Sequence, residues 1–583
     1  MTNAAVAKVM REIAALLEME GVQFKPRAYE KVAYTIEALD HPLAETYKRG
    51  GLKALEEIPG VGKGIAERIE ELLTSGKLKY YDELHKKVPV DVSGLTAIEG
   101  LGPKNVKALY EALGIRTVAD LEKAARAGKI RELPHFGEKS EEKILKGLEF
   151  LRGHTGRFGL GEVLPLLEQI AARLRQVAGV AEVALAGSVR RRKETVGDGD
   201  ILVISRKPDK VMDFFVAMPE VAHVHGKGST KSSVKLETGM DVDLRVVPAE
   251  SFGAALNYFT GSKDHNVALR RIAMERDLKL NEYGVFRGDK SIAGKTEEEV
   301  YGALGLPYIA PELRENTGEI EAARAGKLPR LIEYGDVRGD LQTQTKWTDG
   351  ANSIEEMVEE ARRLGREYIA ITDHTKSLAM MGADENQLRQ QIKAVRALDR
   401  KLKGFTVLAG AEVNINKDGT LDISDDVLAE LDVVGVAVHS HFNLSRSEMT
   451  ERLVRAMENP HADILFHPTG RVINRRPAYD VDIDAVIAAA KRTGTVLEID
   501  AYPERLDLRD EHVRKAVAAG VKLVIDTDAH SVSHLDFIDY GIATARRGWA
   551  EKADVLNTLP VGKLLASLKD GKRKPSKAAR KQQ

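Results

Sequence analysis

The sequence predicts a multidomain chain with an all-α N-terminal region, an α+β middle segment and a C-terminal α/β barrel of the (β/α)7 type. Three observations predict it. The 583 residues are several times the roughly 150 of one domain. Residues 1–152 read as amphipathic helices joined by short glycine turns, and from about 153 the period changes to strand-like runs (VAEVALAGSV, GDGDILVISR, MDVDLRVVP, LKLNEYGVF) with helices between them. From about 336 to 568, apolar β-type runs alternate with amphipathic helices at regular spacing, as in a parallel α/β barrel.

Composition narrows the function classes. With 43% hydrophobic and 30% charged residues the chain is folded and slightly charge-rich. The absence of cysteine excludes disulfides, thiolate zinc fingers and a cysteine nucleophile, so any transition-metal site must use His, Asp and Glu. No apolar run approaches a membrane span, and the N-terminus carries acids throughout, which makes the cytoplasm the default compartment. The 88 basic and 89 acidic residues nearly cancel, so nucleic-acid binding has to come from local arrangement. Between Leu331 and Leu568 there are 30 Lys+Arg and 39 Asp+Glu, whereas 569–583 holds seven bases and one acid. That end reads as a disordered basic tail, either solubilising or DNA-tethering.

One unit recurs in the first region: LEEIPGVGKGIAERIEELL (Leu55–Leu73), LTAIEGLGPKNVKALYEAL (Leu95–Leu113) and a weaker IRELPHFGEKSEEKILKGL (Ile130–Leu148). Each is a helix-hairpin-helix. Gly60 with Gly62, and Gly100 with Gly102, are expected to supply positive φ and to let backbone N–H groups approach a DNA phosphate at the next helix N-terminus, beside Lys63 or Lys104. This recognises backbone, not sequence. A single GxG turn also serves simply to join helices; two copies with adjacent lysines favour DNA. The third copy has Phe136 in place of a glycine and is expected to be structural.

In VGDGDILVI, Asp198 and Asp200 are two apart on a strand and project from one face; Asp243 in MDVDLRVV would bring a third carboxylate. GDGD alone also fits a solvated acidic turn. With GSVRRR (Gly187–Arg192) just upstream, phosphate donors and metal-binding acids come together, and two Mg²⁺ on such acids would serve an in-line displacement.

The ordered set GSVRR, GDGD, VDLR, NYFTGSKDHNVALR (Asn257–Arg270) and LNEYGVF (Leu280–Phe286) resembles the palm and thumb of family X DNA polymerases. The hairpin region is similar to the 5′-phosphate-binding domain and fingers of DNA polymerase beta, so the resemblance spans about residues 1–318. It implies a small 5′-phosphate-binding domain at 1–90, fingers at 91–152, a palm at 153–245, a thumb at 246–318 and a connector at 319–335. It also implies Mg²⁺ or Mn²⁺ on Asp198, Asp200 and Asp243, with Asp243 accepting the primer hydroxyl proton. Gly187, Ser188, Arg191 and Gly197 would hold the triphosphate, Tyr258, Phe259 and Gly261 would line the sugar, Asn266 would face the base edge, and Arg270 would probe the template. The implied partners are dNTPs and gapped or primer-template DNA, whose binding should weaken steeply with salt; no dimer signal is legible, and a monomer is expected.

Three departures from the beta enzyme matter. Lys263 replaces an acid, His265 replaces an aromatic, and GSKDHN is closer to the bacterial and archaeal branch; a lysine beside the nucleotide puts pairing fidelity in question. The Schiff-base lysine of beta-type lyases falls at Arg68, and a guanidinium cannot serve as an amine nucleophile. Phosphate binding helped by Lys25, without efficient lyase activity, is the expectation.

In the last region, strand-like runs lead into His374 (YIAITDH), Glu412 (VLAGAEV), His439 (VVGVAVHS), His467 (DILFHPTG), and Asp528 with His530 (KLVIDTDAH). Side chains at barrel strand ends converge on one rim, and mixed imidazole and carboxylate groups there favour Zn²⁺, Mn²⁺ or Fe²⁺ over Mg²⁺. Residues 336–568 resemble the PHP (polymerase and histidinol phosphatase) domain, which implies a three-metal phosphoesterase site for 3′-5′ exonuclease, abasic-site endonuclease or 3′-phosphatase chemistry. Asp349 with His374 and His530 would hold one metal, and Glu412 with His439 and His467 another. Family members read GDLHxHT where this chain reads GDLQTQT, with Gln342 and Gln344 for both histidines, leaving the third metal Glu412 and Asp528. The reading is therefore a gap-filling repair polymerase whose barrel is either a weakened 3′-5′ exonuclease or a scaffold. A DNA-end scaffold without turnover and a DNA-anchored small-metabolite phosphatase are the alternatives.

Overall fold

A computed structural model describes residues 1–573 except 2, 38, 40, 99, 100, 155 and 379–381. Among the described residues, nine helices between Asn3 and His154 form the N-terminal region. Buried side chains from Val6 to Leu148 make one continuous cluster, so the two helical groups drawn at 1–90 and 91–152 share a core. Asp91 caps Val92–Thr96, and a Thr117/Asp120 capping box starts Val118–Arg126.

The middle segment carries a five-stranded sheet in the order Val180–Leu185, Asp198–Ser205, Asp241–Val246, Lys231–Leu236, Val221–Lys227. The last two strands were not among the expected runs. Alternation along Asp198–Ser205 sends Ile201 and Val203 into the core beneath the helices Leu160–Arg175 and Pro208–Val216. Leu202 goes to the opposite face, against Phe252 and Ala255. The helices Phe252–Thr260 and Lys263–Met274, a three-stranded antiparallel sheet and the helix Glu297–Ala303 follow.

Seven parallel strands in sequential order build the C-terminal unit: Gly339–Asp340, Tyr368–Ile371, Thr406–Asn414, Val433–Ala437, Ile464–Leu465, Val496–Asp500 and Leu523–Asp526. The first and last strands approach through main-chain bonds: Gln344 N donates to Ala529 O (2.8 Å) and Ala529 N to Gln342 O (3.3 Å). The barrel is thereby nearly closed. Capping boxes at Ser353/Glu356, Asp384/Gln387 and Ser445/Glu448 start three of its outer helices. The final helix, Val561–Arg573, runs five residues into the segment read as a disordered tail, and 574–583 lie outside the described residues. Among the described residues no helix is long and apolar enough to cross a membrane.

Candidate active sites

Strands Asp198–Ser205 and Asp241–Val246 run parallel in a register that sets Asp200 opposite Asp243 and Asp198 opposite Asp241. The three expected carboxylates therefore share one face of two neighbouring strands. Ser233, opposite Asp243 on the other side, donates to Asp243 Oδ1 at 2.5 Å, and Lys231 Nζ lies 2.8 Å from Oδ2; neither was expected. Burial, then the charges of Asp198 and Asp243, push Asp200 up to about 7 against Arg245 and Lys231. Hard carboxylate oxygens that resist shared ionisation fit divalent cations.

Gly187 opens a short helix, Gly187–Arg190, rather than a simple turn. It has φ +64°, and a Cβ there would lie 2.6 Å from Asp200 Oδ2, so only glycine lets this segment approach the acids. Arg190 is a strut, bonded to Glu297 at 2.9 and 2.6 Å and to Thr260. Arg191 Nε donates to Glu315 (3.1 Å), and its Nη1 donates to the Thr260 carbonyl. Ser188 and Gly197 are half-buried. Tyr258 and Phe259 meet edge to face at 5.1 Å, with the Arg245 guanidinium 4.6 Å from the Phe259 ring centroid. Gly261 has φ +70°, and a Cβ there would come within 3.1 Å of Arg191 Nη1.

Asn266 donates its amide to Tyr258 O at 2.7 Å. His265, which replaces an aromatic, is fully buried, 2.6 Å from Glu319 and 2.9 Å from the Tyr301 hydroxyl, and belongs to the core of this segment. Lys263 and Arg270 are exposed on their helix.

In the hairpins, Gly60 has φ +85°. Gly62 (φ −84°) and Gly102 (φ −68°) instead cap the helices Lys63–Ser75 and Pro103–Leu113 in extended conformation. Positive φ is thus not what these two provide. They leave the helix ends open, with nothing within 4 Å of a Cβ, beside exposed Lys63 and Lys104. Gly100 lies outside the described residues. Lys25 is exposed, and Arg68 is 4.0 Å from the Tyr80 ring centroid and bonded to Gly64 O. In the third hairpin Phe136 is buried, and the Glu141 carboxylate, fully buried, accepts from the backbone of Ile130 and Arg131 and from the Arg131 side chain. A carboxylate so placed makes this copy structural.

On the barrel rim the ligand atoms of Asp349, His374 and His530 lie within 4.8 Å of one another, as do those of His374, Glu412 and His439. Among the described residues no such triad forms in the palm, where Lys231 holds Asp243. Glu412, set within its strand rather than after it, accepts from His467 (2.8 Å) and stands 2.9 Å from His439; His374 joins both triads, and His467 adjoins the second. Burial disfavours the Glu412 charge, but the neighbouring histidines override it and hold its carboxyl well below the usual range. Burial likewise opposes the charge on His374 and His530, but the adjacent carboxylates lift them to about 9 and about 10. Asn414 orients His439: its amide nitrogen faces Thr375 O and Asp422, so its oxygen accepts from His439 Nδ1 (2.6 Å), which leaves Nε2, beside Glu412, as the ring atom a metal would meet.

These two donor sets fit transition-metal ions. The third does not. Gln342 and Gln344 donate Nε2 to Glu412 Oε2 at 3.0 and 2.8 Å, and Asp528 Oδ2 lies 3.5 Å from Arg505 Nε, which is equally far from Asp500. Donors and a guanidinium stand where a third cation would need lone pairs. Arg505 was not anticipated.

Comparison with known proteins gives concordant matches. The DNA polymerase beta thumb family matches residues 255–315, the helix-hairpin-helix domain 1–78, the SAM-like helix-hairpin-helix tandem 92–149 and the PHP domain 340–495. The chain is 40% identical over 570 residues to the DNA polymerase/3′-5′ exonuclease PolX of Bacillus subtilis (strain 168), covering 97% of this chain and 99% of that one. It is 31% identical over 248 residues to a probable phosphatase of Thermoanaerobacter sp. (strain X514), covering 40% of this chain and 96% of the relative. It is 25% identical over 355 residues to DNA polymerase lambda of Rattus norvegicus, covering 54% and 56%.

Proposed function

Because the chain belongs to the family X DNA polymerases that carry a C-terminal PHP domain, we propose that it fills short gaps in DNA as a monomer, with Asp198, Asp200 and Asp243 as its catalytic acids. The register that pairs Asp200 with Asp243 beneath the Gly187 segment carries this reading. Mg²⁺ or Mn²⁺ bound there supplies charge neutralisation and activation of the primer 3′-hydroxyl. The protein's own groups do the rest. Asp243 accepts the hydroxyl proton once Lys231 releases it. Ser188, Arg191 and the backbone at Gly187 and Gly197 hold the triphosphate, and Gly261 with Tyr258 and Phe259 crowds a 2′-hydroxyl. Lys25, Lys63 and Lys104 grip DNA phosphates beside open helix ends, and Arg270 meets the template.

The barrel is proposed as a 3′-5′ exonuclease on two cations, Zn²⁺ or Mn²⁺, held by Asp349, His374 and His530 and by Glu412, His439 and His467. Such ions supply an activated water, while Asn414 and Glu412 orient the imidazoles. The test uses 5′-labelled primer on one-nucleotide-gapped DNA with Mn²⁺. With dNTPs, the wild type extends the primer by one nucleotide and Asp243→Asn does not. Without dNTPs, the wild type shortens it and His374→Ala does not. Extension without shortening makes the barrel a scaffold; no extension by the wild type overturns the polymerase assignment, and phosphate release from histidinol phosphate would then favour a small-metabolite phosphatase.

A further inference from the structure

The helix Ile538–Arg547 packs against the palm and thumb, and its last residue, Arg547, is a buried guanidinium that none of the chemistry above uses. One end is anchored in the barrel, where Nη2 donates to Asp510 Oδ2 at 2.6 Å. The other crosses to the polymerase: Nη1 donates to the main-chain oxygen of Arg191 at 2.9 Å and to Glu315 Oε1 at 3.1 Å. Glu315 Oε1 also takes the Arg191 Nε bond, again at 3.1 Å, and Lys193 Nζ stands 3.9 Å away. Arg191 in turn touches Thr260 O, the carbonyl before the Gly261 sugar contact. A continuous polar chain thus runs from the barrel through Arg547 and Glu315 to the nucleotide-facing guanidinium.

We infer that Arg547 is a positioning residue for nucleotide binding, so that the barrel completes the polymerase's triphosphate site whether or not it hydrolyses DNA. This rests on the proposed role of Arg191. Two physical effects carry it. The bond to Arg191 O fixes the backbone of the triphosphate segment from behind. Competition for Glu315 does the second part: a carboxylate shared with Arg547 holds Arg191 less firmly than one it has to itself, leaving that guanidinium free to turn to a triphosphate. Burial raises the proton affinity of Glu315, but Arg191, Arg547 and Lys193 outweigh it and keep the carboxylate ionised, so the competition is between full charges.

The experiment uses the full chain on gapped primer-template, measuring KM for dNTP, kcat and DNA Kd separately for Arg547→Met, Glu315→Gln, their double variant, and the control Arg514→Met. Arg514 belongs to the same interface, donating to Thr317 O (2.8 Å) over the Trp549 ring, but does not reach Arg191. Arg547→Met is expected to raise KM for dNTP roughly 5- to 30-fold with kcat changed less than threefold and DNA Kd unchanged, an effect of ground-state nucleotide binding. Arg514→Met should leave KM within twofold. Glu315→Gln alone, which removes the carboxylate that competes for Arg191, should leave KM at or below the wild-type value, and the double variant should raise KM by less than the product of the single effects, because Arg547 acts in part through Glu315. If Arg547→Met folds poorly, Glu315→Gln still tests the link from the polymerase side, where a KM above the wild-type value would contradict the competition for Glu315. A wild-type KM in Arg547→Met, an equal rise in Arg514→Met, or a double variant whose effects simply multiply would overturn the inference. Wild-type protein that fails to extend primers would instead overturn the proposed function.

Discussion

Asp200→Asn should disable the polymerase and yet make its metal-free palm more stable. In the folded chain Asp200 ionises only near 7, against 3.8 for an unperturbed aspartate. The folded state therefore retains a proton that the unfolded chain gives up, and stability falls as pH rises from about 4 to about 7 and stays low above that. At about 1.4 kcal/mol per unit, the interval sets a ceiling of about 4 kcal/mol. Partial solvation beside Lys231 and Arg245 brings the expected gain from asparagine to about 2–3 kcal/mol at pH 8 and under about 1.5 kcal/mol at pH 5. Domains of one chain unfold separately, so the assay is hydrogen exchange of peptides covering residues 198–205 in EDTA, variant beside wild type at each pH. Saturating Mg²⁺ should reverse the order, because cations stabilise only the intact acids. A gain of equal size at both pH values, or a loss at pH 8 in EDTA, would refute the account of why Asp200 is perturbed.

Other outcomes follow from the same geometry. Gly187→Ala, with φ +64° and a Cβ 2.6 Å from Asp200 Oδ2, should lower kcat/KM for dNTP at least 100-fold while the helical N-terminal region still binds gapped DNA, measured by single-turnover extension and by anisotropy. Borohydride trapping on 5′-deoxyribose-phosphate DNA should leave the wild type essentially unlabelled and Arg68→Lys labelled; efficient wild-type labelling lost on altering the helix Lys63–Ser75 would contradict the reading. Asn414→Leu, by releasing the His439 ring, should weaken one of the two barrel ions about 10- to 100-fold and the Asp349, His374 and His530 ion less than threefold. Sequential metal loss during chelator titration reads this, and equal weakening of both ions would count against it.

What the sequence makes legible is chemistry carried by spacing. Asp198 and Asp200 share a face because strands alternate, and the barrel histidines converge because parallel barrels gather their strand ends. Contacts set by tertiary packing leave no such trace. Ser233 and Lys231 reach Asp243 only through an antiparallel neighbour whose register no local pattern announces. His265 sits in the core because the distant Glu319 and Tyr301 claim both its nitrogens, which no local pattern announces. Gly62 and Gly102 match a turn motif, but their φ values depend on how the flanking helices pack, and an extended N-cap satisfies the same letters. Arg505 and Arg547 each lie far along the chain from some of the groups they meet, which is why neither stands out in one dimension.

The barrel's closure touches Gln342 and Gln344 through their backbone alone: a carbonyl of one and an amide of the other meet Ala529, whatever the side chains are. Architecture at these two positions is carried by the backbone, and reactivity by the side chains. An exchange of carboxamide for imidazole there changes what meets the Glu412 carboxylate at the rim and not the main-chain bonds that close the seven-stranded frame.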